Sequence, residues 1–125
     1  MEFFLVFVGG GIGSALRHGI NMMTLRLLGP HFLYPVSTFC INILGAFLMG
    51  VVVEYCALRS GLSQQSRLFL TTGLFGGFTT FSTFALEIGL LHARGEIIAA
   101  ALYAIASVVI GLAALYAGMA LVRAL

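Results

Sequence analysis

Lysine and aspartate are missing from this 125-residue chain, whose charge rests on six arginines and four glutamates. Without lysine no phosphate-binding P-loop can be completed. The cluster Gly9-Gly-Gly-Ile-Gly13 also lacks a preceding strand and the G-x-G-x-x-G spacing, so it is not a nucleotide cradle. Without aspartate there is no Ser/His/Asp set. His18, His31 and His92 show no metal-ligand spacing, and the four glutamates, read as lying at or near span ends, form no acid–base pair. The expectation is a protein that is not an enzyme. Charge of any kind is scarce, at 8% of residues against roughly 25% in soluble domains. The net charge of +2 is too small and scattered to build the basic face that nucleic acid requires. Cys40 and Cys56 fall on one expected helix, roughly 24 Å apart at about 1.5 Å per residue, too far to pair within it. They are expected to be small buried apolar residues.

Apolar side chains make up 61% of the chain, and its mean hydropathy is +1.12. A bilayer core needs about 20 apolar residues of helix. Four stretches suffice, at about 3–28, 33–58, 67–91 and 97–121, within a single transmembrane domain covering 1–125. The breaks carry turn residues and charge: Gly29-Pro30-His31, then Arg59-Ser-Gly-Leu-Ser-Gln-Gln65, then His92-Ala-Arg-Gly-Glu96. Such short loops make neighbouring spans antiparallel. The start, Met1-Glu-Phe-Phe-Leu, lacks the basic region of a signal peptide, so the first run is expected to be retained. Arg59, Arg67 and Arg123 fall on the side of the N-terminus; Arg17, Arg26 and Arg94 fall on the other. Orientation follows the Lys/Arg imbalance, and here there is none. Insertion in both orientations is expected, which makes available an antiparallel homodimer with its two-fold axis in the membrane plane.

The third span holds Gly73-Leu-Phe-Gly-Gly-Phe-Thr-Thr-Phe-Ser-Thr-Phe84, with three glycines, four hydroxyls and four phenylalanines in twelve residues. Backbone that leaves helical geometry persists at membrane depth only against protein or water, so this stretch reads as a break and an ion site. Phe81 and Phe84 share a face if the helix resumes, and Thr79, Thr80, Ser82 and Thr83 alternate with the rings. A ring face suits a cation and a ring edge an anion, so the sign of the ion stays open here. Glu87 is a possible partner for nearby polar groups, and Glu54 is expected to reach the interface. In the second span Asn42 needs a helix or a pore to satisfy its amide, and Thr38 and Gly45 lie on the same face. Gly9 and Gly13 have the small-xxx-small spacing of closely approaching membrane helices. Arg17 either snorkels to the surface or lines an aqueous vestibule. Tyr103 and Ser107 stand four apart in the last span; Tyr103 could equally anchor at the interface and Ser107 bond back to its own helix.

Taken together, the Gly73–Phe84 stretch, Gly13-Ser-Ala-Leu-Arg17, Asn42 followed by Gly45, and Tyr103 through Ser107 resemble the Fluc (CrcB) fluoride channels over the whole chain. Ala85 departs from some members, which carry serine there. The resemblance implies an all-α membrane protein of four helices with a break in the third, assembled as a dual-topology antiparallel homodimer in a prokaryotic plasma membrane. It implies passive export of fluoride along a path lined by Asn42, Phe81, Phe84, Ser107, Thr38 and Tyr103, with Arg17 in the vestibule. Gly76 and Thr79 would hold a structural Na+ through backbone carbonyls, and Thr80, Ser82, Thr83 and Glu87 would extend a polar track. The competing class is the small dual-topology multidrug exporter, which uses a carboxylate in its first span; here Glu2 stands too near the terminus. A haem-binding anchor would need a facing pair of mid-span histidines, which is missing.

Overall fold

The computed structural model describes residues 1–30 and 33–125, so the expected turn residue His31 lies outside them. Helix α1 runs Glu2–Leu28, α2 Thr38–Arg59, α3 Gln64–Leu68, α4 Gly76–Phe78, α5 Phe81–Ala93 and α6 Ile97–Ala124. Wider π-helical turns occupy Leu33–Ser37 and Phe69–Phe75, and no strand occurs among the described residues. Four segments, Glu2–Leu28, Pro35–Arg59, Gln64–Ala93 and Ile97–Ala124, are long and apolar enough to cross a membrane. The third begins three residues before its expected start because Ser63 caps it, its hydroxyl oxygen accepting the Ser66 N–H at 3.1 Å. Gly29 and Gly95 close helical segments with φ of 81° and 80°, a conformation open to glycine at little cost.

Between α4 and α5 the chain is extended, with φ/ψ of −78°/161° at Thr79 and −151°/114° at Thr80. Thr80 then caps α5, its hydroxyl oxygen accepting the Thr83 N–H at 3.3 Å. The stretches on either side of this link pack on different neighbours. The first, from Phe69 to Phe78, lies along α1; the second, α5, lies on α6.

Lipid tails are as apolar as leucine, so helices in a bilayer associate through close packing and hydrogen bonds. Glycine supplies the close packing here. A Cβ added at Gly9 would come within 2.8 Å of the Phe69 carbonyl oxygen, and one at Gly13 within 2.7 Å of the Phe78 nitrogen. The α1 glycine pair therefore seats the backbone of the third segment itself. The broadest contact is α2 against α6, where a Cβ at Gly118 would overlap the Phe47 carbonyl and reach 3.0 Å from the Val51 nitrogen. Leu91, Ala100 and Tyr103 form a buried cluster between α5 and α6, flanked by Phe39, Phe84 and Ile88. Cys40 is exposed and Cys56 half-buried, both as free thiols. The expectation of two buried cysteines fails because the surrounding helices pack on other faces of α2.

Candidate functional site

The site is built where α2 crosses the extended Thr79–Thr80 link. A peptide group that leaves a helix loses its i−4 partner and needs another. Asn42 supplies one: its Oδ1 accepts the Thr80 N–H at 2.8 Å while its Nδ2 donates to the Thr80 carbonyl at 3.1 Å. One side-chain amide thereby replaces both backbone bonds of one peptide residue. Three residues on, a Cβ at Gly45 would overlap the Thr79 methyl group, so only glycine lets α2 come this close. Four residues back, Thr38 Oγ1 donates to Glu87 Oε1 at 2.5 Å. The shared face of Thr38, Asn42 and Gly45 is the face that meets the link and α5.

Two carbonyls are released by this arrangement. The helical partner of the Gly76 carbonyl would be the Thr80 N–H, which goes to Asn42, and that of the Thr79 carbonyl would be the Thr83 N–H, which goes to the Thr80 hydroxyl. The Gly77 carbonyl accepts from Ser14 Oγ on α1 at 3.3 Å.

Glu87 is buried, with 3% of its surface exposed, and both oxygens are occupied: Oε1 by Thr38, Oε2 by the Tyr103 hydroxyl at 2.6 Å. Glu87 stands six residues before the end of the third segment, where Thr38 of α2 and Tyr103 of α6 cover it. Glu54 is also buried, five residues before the end of α2. Its Oε1 accepts from Arg123 Nε at 2.6 Å, since the last turn of α6 carries that arginine over it. Tyr103 is no interfacial anchor; its ring lies 5.2 Å from that of Phe84, tilted by 53°. Phe81 stands 5.8 Å from Phe84 at 50°, so the three rings form a row. Ser107, one turn beyond Tyr103, has a buried Oγ without a hydrogen-bond partner and does not bond back to its own helix.

Two cavities meet at the link. One, of about 310 Å³, is polar and lined by Ser14, Arg17, His18, Asn21, Thr38 and Ile41 with Thr80, Ser82 and Thr83. The second, of about 450 Å³, is mostly apolar and includes Asn42, Thr79, Phe81, Phe84, Gly111 and again Thr80. Arg17 is among the residues that line the polar cavity. A larger space of about 690 Å³ between Glu2, Ser60, Gln64 and Arg67 contains none of the candidate residues. Gly76, Tyr103, Ser107 and Glu87 line neither of the two central cavities. Sequence reasoning missed Asn21, Ser37 and His18. Asn21 was findable, being four residues after Arg17 and so on its face. Among the described residues no group of three or more His, Cys, Asp or Glu side chains is placed to hold a metal.

Comparison with known proteins matches residues 4–119 to the family described as "CrcB-like protein, Camphor Resistance (CrcB)". The chain is 52% identical over 123 residues to "Fluoride-specific ion channel FluC 2" of Nitrobacter hamburgensis, covering 98% of each chain. It is 49% identical over 125 residues to "Fluoride-specific ion channel FluC" of Rhodopseudomonas palustris, covering 100% of this chain and 99% of that one. The protein of that name from Granulibacter bethesdensis is 50% identical over 125 residues, covering 100% and 97%.

Proposed function

The chain belongs to the CrcB-like family, and from that premise we propose that it is a fluoride channel, passing the anion passively out of a bacterial cell. The relatives' names supply the ion. The observation that carries the reading here is that Thr80 lines both the arginine-bearing polar cavity and the cavity of Phe81 and Phe84. A hydrated anion drawn in by Arg17 comes within one residue of the ring row. Fluoride holds its water strongly, so donors in series must replace that water along the path. Ser82, Thr83, the second N–H of Asn42 and the unpartnered Ser107 hydroxyl are such donors, Thr38 and Tyr103 flank them with their protons held by Glu87, and ring edges carry the positive end of the aromatic quadrupole. Glu87 acts on this track as an acceptor that fixes the Thr38 and Tyr103 hydroxyls.

The working unit in this reading is an antiparallel homodimer. Phe81 is 79% exposed at the centre of the third segment, and its cavity is open in the single chain. A second copy inverted on this face would close it, and the evenly divided arginines allow both insertions. The released carbonyls of Gly76 and Thr79 suit a hard cation, as unwound membrane backbone generally does. A Na+ held there would be structural, supplying positive charge between the subunits, and would not be conducted. The extended link is on this account the break that divides the third span. The membrane is the plasma membrane, the inner one in a Gram-negative cell.

Fluoride efflux from liposomes carrying the purified protein tests this, with chloride as the control ion. Fluoride release without chloride release is expected; release of neither, or of both equally, would remove the reading. The buried carboxylate of Glu87 gives a proton-coupled exporter its one supporting observation. That alternative predicts flux that requires a pH gradient, whereas the channel needs none.

A further inference from the structure

Asn21 has no role in the path above, yet it lines the polar cavity beside Arg17. Its carboxamide is held at one end only. Ser37 Oγ donates to Asn21 Oδ1 at 2.5 Å, and Ser37 is buried to 1% exposure at the π-helical turn that precedes α2. A buried hydroxyl has to spend its proton on some acceptor, and this one spends it on the amide oxygen. An amide whose oxygen is fixed has its NH2 group pointing the opposite way. Among the described residues that Nδ2 has no hydrogen-bond partner, and the cavity is the open space beside it.

Arg17 brings positive charge to the same wall, and of the lining hydroxyls those of Ser82 and Thr83 are free to donate, because Ser14, Thr38 and Thr80 spend their protons on Gly77, Glu87 and Thr83. Among the described residues no carboxylate lines the cavity; Glu87 lies behind Thr38 with both oxygens engaged. The volume of about 310 Å³ holds roughly ten waters at about 30 Å³ each, so an ion there keeps most of its hydration shell.

We infer that Asn21 and Arg17 form a seat for a small hydrated anion in this cavity, with Ser37 as the positioning residue that turns the Asn21 NH2 toward it. The seat deepens the channel reading and rests on it. It collects the anion before dehydration and does not choose between halides, which falls to the narrower path beyond Thr80.

The test is fluoride efflux from liposomes over a series of internal fluoride concentrations, giving a half-saturating concentration and a maximal rate. Asn21→Ala removes the donors without adding charge. It should raise half-saturation about tenfold, the loss expected for a hydrogen bond to a charged partner, and leave fluoride-over-chloride selectivity intact. Ser37→Ala should raise it about threefold, as when a side chain is left unheld before binding. In the Asn21→Ala background the Ser37 change should add nothing. Should Asn21→Ala fail to fold as judged by gel filtration, the nearly isosteric Asn21→Leu carries the same expectation. Wild-type half-saturation in the Asn21 variants overturns the seat alone, and a Ser37 effect that persists without the amide overturns the positioning role. Absence of fluoride flux in the wild-type protein overturns the channel reading and the seat with it.

Discussion

Helix α2 has two seams that work by opposite rules. Against α6 its central stretch is dry: Gly118 meets the backbone at Phe47 and Val51, with the Glu54–Arg123 pair confined to the end of the seam. Against the third segment it is wet in character: Thr38 donates to Glu87 and Asn42 exchanges two hydrogen bonds with Thr80, at 2.5 to 3.1 Å, beside two cavities. In a bilayer no hydrophobic force favours one seam over the other. The dry seam holds by volume and the polar seam by donors and acceptors, so each should break under the substitution the other tolerates.

The largest effect should come from Gly118→Leu, which places four carbons where backbone already stands; folded protein recovered on gel filtration should fall to near nothing. Normal recovery would mean that the α2–α6 approach is looser than described. Next is Phe81→Ile, which keeps an apolar residue at an exposed position but removes the ring edge. Fluoride flux should drop to background while the oligomer survives, and unchanged flux would rule out the role given to the ring. Thr38→Val alters almost no volume and removes one donor. It leaves a Glu87 oxygen unsatisfied, at a cost of about 1–3 kcal/mol, so flux should fall about tenfold with a smaller loss of thermal stability. The reverse ranking, with stability hit harder than flux, would make the polar seam a structural device only. Glu54→Gln should do least, because Arg123 is 60% exposed and exposed ion pairs contribute little. A modest drop in melting temperature with unchanged flux is expected.

The helical plan was legible because twenty-residue apolar runs have few other fates, and the ends were off by only the residues that capping decides. Ser63, for example, moves the third start to Gln64. Asn42 was legible as an amide in need of a partner, but not that the partner would be both ends of one peptide group, because that depends on how near α2 comes at Gly45. The burial of Glu54 and Glu87 was not legible for a related reason: counting residues places both near span ends, whereas neighbouring helices decide whether water reaches them there. Asn21 escaped notice because an amide near the end of a long helix looks solvated until Ser37, sixteen residues on, is seen to bind it.

The Thr79–Thr80 link has one further consequence, of a mechanical kind. It joins two bodies, α1 with the first half of the third segment and α5 with α6, through two extended residues. Any rocking of one body against the other must bend the chain there, and the paired bonds from Asn42 act as a brace across the joint. The Asn42 amide therefore stiffens this joint, and a shorter or singly bonded side chain at position 42 should loosen it.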